Sequence, residues 1–465
     1  MNRRAAMLVF SAALGMAALP AQAETRPGPN VVLFFTDDQG YADLSCQGHP
    51  TIRTPRLDRL AAEGCKMTQF YVAAPLCSPS RAALLTGCYP KRVSMHRHVI
   101  FPGYDYGLHT DEVTLADLLH DRGYVTGCFG KWHLGHRPGL LPLDQGFDVY
   151  AGLPFSNDMA QYHRRAGNDY QFRLPWMEGN AVVEWEPDQH LLTRRTTDAV
   201  LEFVTANRNS AFFAYVPYSM PHIPIYASPE FEGTSPRGRY GDVIEEIDHN
   251  VGRVLDRLDE LGLRDDTIVL FTSDNGPWLP FQLDGGSAGP LRGGKGTNWE
   301  GGQHVPFVVR WPGHVPAGYV CSELSTAMDV LPTLAVIVGA ALPERVIDGH
   351  DVGALWRGEA GAVSPTEQFV YYTGKGALAG VRRGPWKLLL GGDGSGAEGK
   401  PDALYQVEHD VGEQWDLAAK HPEMVAELRA LAQRLDAELE AAARPTRVVE
   451  ELAFDPRRDA GSGGK

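Results

Sequence analysis

The chain has 465 residues, 43% hydrophobic and 22% charged, with a formal net charge of -15. That length supports one large core plus a smaller domain, and the composition excludes a disordered or fibrous protein. A broadly acidic surface argues against nucleic acid and anionic membranes as partners, so an anionic substrate would need a local cationic pocket.

At the start, Asn2-Arg3-Arg4 precede an apolar run from Ala5 to Leu19 and the small residues Ala21 to Ala23. Charged, apolar and small residues in that order predict a secretory signal over 1–23, and hence an exported chain, periplasmic or secreted. No later stretch approaches the roughly 20 apolar residues of a membrane span. Six cysteines, Cys46, Cys65, Cys77, Cys88, Cys128 and Cys321, allow up to three disulfides in an exported protein, but their spread is unlike a small stapled scaffold. The chain contains no N-x-S/T acceptor, which favours a bacterial exported enzyme over a glycosylated lysosomal one.

From Asn30 onward short apolar runs alternate with helix-period segments. "NVVLFF" predicts a strand, Pro55 to Gly64 a helix, Ser80 to Leu85 a second helix with Pro79 at its first position, and "TLADLLHDRG" a third with Thr114 as its cap. "YVTGCF" follows as a strand. The alternation continues through a helix (Leu191 to Asn207), "AFFAYVPY", a helix (Asp242 to Leu261), "TIVLF", "HVPFVVR" and the helix in "AMDVLPTLAVIVG". The fold class expected is α/β, with a doubly wound and mostly parallel sheet. After about Gly358, "QFVYYT", "LAGVRRGPWKLLL" and "DALYQV" predict short antiparallel strands, and Pro422 to Ala443 a closing helix. The expected domains are a catalytic unit over 24–357, a C-terminal α+β subdomain over 358–455 and a flexible tail over 456–465.

Two strand ends share one pattern: "VVLFFTDDQG" and "TIVLFTSDNG" each run from a buried strand through hydroxyl residues to a pair of oxygen ligands and a glycine. Ligands of open α/β sheets bind beyond the carboxyl ends of strands, so Asp37, Asp38, Asp274 and Asn275 are expected to converge there. Clustered carboxylates repel unless a cation neutralises them. Oxygen ligands without histidine or cysteine point to calcium, with magnesium second, over zinc.

"APLCSPSRAALLTG" places Cys77 at a helix N-terminus, where backbone N–H groups favour negative charge, with Arg81 one turn later on the same side. Two of the nine lysines stand in glycine-flanked motifs: Lys131 with His133 in "GKWHLG", and Lys295 in "GPLRGGKGTNWEGG". Gly289 to Lys295 fits the beginning of a phosphate-binding loop, but Gly296 replaces the required Ser or Thr, which argues against nucleotide binding. "MPHIP" presents His222 between prolines beyond another strand. Tyr104, Asp105, Tyr106, His96, His98 and "SNDMAQYHRR" are candidates for the pocket rim.

"CSPSR" followed by "LLTG" resembles the signature of the formylglycine-dependent (type I) sulfatases of the alkaline phosphatase superfamily. The similarity extends in the family's order through "VVLFFTDDQG", "GKWHLG", "PHIP", "TSDNG" and "GGKGTNWEGG", and "GLPFSNDM" is similar to the arylsulfatase A-like branch. "AQYHRR" departs from the pattern, which bears on substrate identity. The resemblance implies that a maturation enzyme oxidises Cys77 to formylglycine, whose hydrate attacks sulfur while held against calcium and Arg81. It implies that Lys131 holds sulfate oxygens, that His133 takes a proton to release sulfate, and that His222 and Lys295 stand on the leaving-group side. The metal set is then Asp37, Asp38, Cys77, Asp274 and Asn275. The expected substrate is an aryl or, in nature, a carbohydrate sulfate. The competing readings are a phosphonate or phosphate ester hydrolase of the same superfamily and a non-catalytic binder of sulfated glycans.

Overall fold

A computed structural model of the chain describes residues 27–159, 172–395 and 399–456. The expected signal segment, residues 457 to 465 of the expected tail and the "AQYHRR" stretch lie outside the described residues.

Ten strands form the main sheet, in the spatial order Tyr319–Cys321, Cys65–Met67, Phe307–Arg310, Thr267–Ser273, Asn30–Thr36, Phe212–Pro217, Val125–Lys131, Val149–Leu153, Pro175–Glu178 and Ala181–Trp185. The five from Thr267–Ser273 to Val149–Leu153 run parallel. Asn30–Thr36, Phe212–Pro217 and Thr267–Ser273 are buried at every position, as continuous apolar runs covered on both faces must be. Side chains alternate between the two layers: Leu33 and Leu270 join the core with the helices Cys77–Thr86, Leu115–Asp121 and Val330–Val338. Val32, Phe34 and Phe271 join the opposite core with Pro55–Ala62, Leu192–Ala206 and Arg239–Glu260.

The flanks of the sheet are less regular than its centre. Phe307–Arg310 runs antiparallel to both its neighbours, and Pro175–Glu178 with Ala181–Trp185 adds an antiparallel hairpin at the other side. The cysteine helix also begins earlier than its proline suggests: it spans Cys77–Thr86, with Leu76 extended as its cap. Pro79 is its third residue, still among the first four N–H positions that lack an intrahelical acceptor, so the missing donor costs nothing there. Thr114 behaves as expected, its hydroxyl accepting from the Asp117 N–H at 3.1 Å in a capping box.

Four antiparallel strands, Gln368–Tyr372, Leu378–Arg383, Trp386–Leu389 and Ala403–Gln406, form the smaller sheet, and the helix Pro422–Ala441 packs on it through Leu428, Leu431 and Ala432. A buried polar joint ties this sheet to the main unit. Lys387 Nζ lies 2.8 Å from a carboxylate oxygen of Glu300 and 2.8 Å from one of Glu413. The hydroxyls of Tyr71 and Tyr371 also donate to Glu300, and Arg382 reaches the Tyr71 hydroxyl at 2.6 Å. Glu300 follows Lys295 by five residues, so the joint anchors the segment that carries that lysine.

Candidate active site

The carboxyl ends of the parallel strands bring the two acidic motifs together. Strand Asn30–Thr36 is in register with Thr267–Ser273, Thr36 opposite Ser273, so the residues that follow each strand emerge side by side. The Asp38 N–H donates to Asp274 Oδ1 at 3.0 Å and Asn275 Nδ2 donates to Asp38 Oδ1 at 2.7 Å, although more than 230 residues separate them. Gly276 allows the turn beyond: a Cβ there would lie 1.7 Å from the Gly301 carbonyl oxygen.

Helix Cys77–Thr86 points its first turn at this cluster. Cys77 Sγ lies 3.4 Å from Asp37 Oδ1 and 3.4 Å from Lys295 Nζ. One turn on, Arg81 is fully buried and donates to Asp37 at 3.1 Å, to Asp274 at 2.8 Å and to the Lys131 carbonyl at 2.8 Å. Lys131, the last residue of its strand, also binds Asp37, and Lys295 reaches Asp38 Oδ1 at 2.7 Å. Two backbone bonds of 2.9 Å hold the Lys295 loop over the cysteine: Lys295 N–H donates to Pro277 O, and Gly296 N–H to Pro75 O.

The electrostatics follow from burial and this ring of charge. Burial by itself raises the pKa of Asp37, yet Lys131, His222, Arg81 and Lys295 outweigh it and hold the carboxyl well below the usual range. Asp38 is pushed up to about 7 by burial, against the pull of Lys295, with Asp37 and Asp274 adding to the rise. Asp274 is raised by burial and by Asp37. Burial and Asp37 push the Cys77 thiol well up, the opposite of a thiolate poised to attack.

Both histidines are held by backbone. His133 Nε2 lies 3.0 Å from the Ile100 carbonyl, so it carries the proton, and Nδ1 is left buried without a partner and free to accept one. Burial, with Lys131 and Arg81 nearby, depresses its pKa well below 6.5 and keeps the ring neutral. His222 Nδ1 bonds the Ile223 carbonyl while Nε2 faces Asp38 Oδ2 at 3.6 Å. Burial and Lys295 bring its pKa to about 3.

The oxygens of Asp37, Asp38, Asp274 and Asn275 are donors of the kind a hard divalent cation takes. Oxygens of Asp37 and Asp38, Cys77 Sγ and a His222 nitrogen lie within 4.8 Å of one another. Asn275 Oδ1 is buried with no hydrogen-bond partner, an acceptor left for a cation. Asp274 stands beside them, accepting from Arg81 on one oxygen and from the Asp38 N–H on the other.

Above the cluster, a cavity of about 200 Å³ is lined by Cys77, His133, His222 and Lys295, by Ser156 of the expected rim segment, and by two residues to which the sequence gives no role, Phe101 and Trp278. Ser156 Oγ accepts from Lys131 Nζ at 3.0 Å. The strand Val149–Leu153 that precedes it lies in register with the strand of Lys131, Leu153 opposite Lys131. Of the expected rim residues, His98 and, from "SNDM", Ser156, Asp158 and Met159 line this cavity. Tyr104 and Tyr106 stack on each other at 5.3 Å, and Tyr106 pairs with Val448 in a two-stranded ladder. All six cysteines are free thiols, so the disulfides allowed in an exported chain are not formed. Among the described residues, no helix is long and apolar enough to cross a membrane.

The family model that matches the chain is Sulfatase, over residues 29–340. Human arylsulfatase A is 38% identical over 94% of this chain and 92% of its own length. The N-acetylgalactosamine-6-sulfatase of Mus musculus is 41% identical over 74% of this chain and 69% of its own length. Among solved structures, Ps i-CgsB in complex with k-i-k-neocarrahexaose aligns with a TM-score of 0.78 at 29% identity, covering 88% of this chain and 93% of that one. The phosphonate monoester hydrolase of Agrobacterium radiobacter shares the fold, with a TM-score of 0.62 at 20% identity, covering 88% of this chain and 96% of that one.

Proposed function

The chain belongs to the sulfatase family, as a sulfuric ester hydrolase of the arylsulfatase A-like branch, and from that premise we propose that it works through formylglycine made from Cys77 by a maturation enzyme. The observation that carries this reading is the placement of Cys77: the first residue of a fully buried helix, 3.4 Å from Asp37 and from Lys295, with its thiol held protonated. A thiol so placed is a poor nucleophile. The aldehyde supplies, when hydrated, one hydroxyl to attack sulfur and a second whose proton loss releases sulfate.

The surrounding side chains divide the remaining work. Arg81 fixes Asp37 and Asp274 and sets a positive charge under the attacking oxygen. Lys131, braced by Ser156, holds sulfate oxygens. His133 offers Nδ1 as the base for the second hydroxyl, its other nitrogen tied to Ile100. On the leaving-group side Lys295 is held protonated by Asp38, against the opposing effect of burial, and supplies the positive charge that the departing oxygen needs; His222 faces the same carboxylate. Asp37, Asp38, Asp274 and Asn275, with the Cys77 side chain, would hold calcium, which would contribute Lewis-acid stabilisation of the attacking oxygen.

We assign a carbohydrate sulfate as the natural substrate and a bacterial periplasmic or secreted location. The relatives named for N-acetylgalactosamine-6-sulfate and the neighbour bound to k-i-k-neocarrahexaose support the first, the predicted signal segment the second. The deciding experiment is peptide mass spectrometry of the exported protein. The Cys77 peptide is expected to carry an aldehyde or its hydrate, and a plain cysteine in protein that releases sulfate would end the formylglycine reading. Matched aryl sulfate and phosphonate esters separate the sulfatase from the hydrolase of the related fold.

Two further outcomes are expected. Lys131→Ala or Lys295→Ala lowers kcat by about 10² to 10³, the usual cost of one preorganised electrostatic contact; near-full turnover by either would remove its role. Sulfate release follows departure of the alcohol, so the acid limb of kcat, and not that of kcat/KM, reports the base that acts in that step. Because burial lowers the pKa of His133, its neutral form persists to lower pH, and the limb falls below pH 6.5. A limb at or above that value would exclude His133 as the base.

A further inference from the structure

On the reading above, the alcohol half of the ester departs on the side of Lys295 and His222, and Trp278 links those two residues. Lys295 Nζ lies 4.2 Å from the centroid of the indole, and the His222 ring meets it edge to face at 5.4 Å. Phe281 stands against the indole at 5.0 Å. The backbone leaves Trp278 little freedom: it follows Asn275, Gly276 and Pro277, and the Pro277 carbonyl accepts the Lys295 N–H at 2.9 Å. The ring is half-buried and lines the cavity above Cys77, together with the apolar side chains of Val99, Phe101 and Met159.

We propose that Trp278 is the wall against which the ring of the leaving alcohol packs, and that it selects esters whose sulfated oxygen is borne on or beside a ring with an apolar face. Such a face belongs to an arene or to the C–H side of a pyranose, and both gain from contact with an indole, whereas an open chain offers less area to a flat wall. Sulfate itself is bound by the charged groups below and has no need of the indole. Trp278 thus touches substrate without touching the sulfur, and its contribution falls on KM.

The test compares Trp278→Ala, Trp278→Phe and the parent enzyme on 4-nitrophenyl sulfate and on a sulfated hexose, with inorganic sulfate as competitive inhibitor. The expected result for Trp278→Ala is a KM raised about tenfold, with kcat within threefold and the inhibition constant for sulfate within twofold, and most of the affinity restored by Trp278→Phe. A KM rise confined to one ester identifies the arene or the pyranose as the ring that is read. Losses of kcat and of sulfate affinity in step with KM would overturn the proposal, since Trp278 would then only hold Lys295 in place. Unchanged KM for both esters would overturn it as well. Should Trp278→Ala fail to fold, Trp278→Leu, which keeps bulk without the aromatic face, is read in the same way. Absence of sulfate release by the parent enzyme, by contrast, would count against the sulfatase reading itself.

Discussion

Cys77→Ala is expected to lower sulfate release to background, a loss on the order of 10⁶-fold, as when the nucleophile of a hydrolase is removed. Ser156, His133 and Lys295, which share the cavity, are poor substitutes. Ser156 Oγ is tied to Lys131, His133 offers a nitrogen that must take up a proton, and Lys295 is held protonated by Asp38, against the opposing effect of burial. Cys77→Ser sharpens the prediction. A serine carries one hydroxyl, so once sulfated it has no second proton whose loss would expel sulfate, and at most one turnover follows. The measurement is the initial rate of sulfate release from an aryl sulfate, with circular dichroism to establish that the fold is kept. A loss smaller than about a hundredfold would show that Cys77 contributes only the kind of electrostatic contact that Lys131 does, and the covalent route would fall.

Lys387→Ala is expected to cost about 3 to 5 kcal/mol of folding stability, the range for breaking a buried ion pair from one side. Lys387 is fully buried between Glu300 and Glu413, and its removal strands two carboxylates in a site closed to water. Burial raises the pKa of Glu300, and Lys387, with His304 and Arg382, reverses this and holds it well below 4.5. The stability this gives is present above the unfolded pKa near 4.5 and is lost as pH falls through the depressed folded value. Without Lys387 burial prevails and the folded pKa rises, so the variant is penalised most at neutral and alkaline pH. Acidification through about 4.5 therefore narrows the gap between variant and parent. Denaturant titrations at two pH values test this, and a difference under about 1 kcal/mol at neutral pH would rank the joint with surface pairs. A fall in kcat in the folded variant is expected too, because Glu300 anchors the segment that carries Lys295.

Much of the chemistry was legible in the order of residues. The two acidic strand ends, the helix opening at Cys77 and the lysines in glycine-rich loops each carry a local signature, a periodic run broken by a particular polar set. Asp37, Asp38, Asp274 and Asn275 were found that way and do meet. Trp278 could not be found so. A tryptophan after a proline looks like an ordinary loop residue, and only the cavity it shares with Lys295 gives it meaning. The helix start at Cys77 was misjudged by two residues because a proline is tolerated anywhere in the first turn, so its position marks a region and not a boundary.

By itself the sequence determined the α/β class, the central strands and the charged motifs that follow them, because periodicity, caps and charged motifs act over a few residues. The tertiary structure decided the antiparallel flanks of the sheet, the neutral His133 tied to Ile100, the wall at Trp278 and the joint at Lys387. Each of these depends on groups brought together from distant parts of the chain, whose burial and mutual charge exist only once the chain has folded.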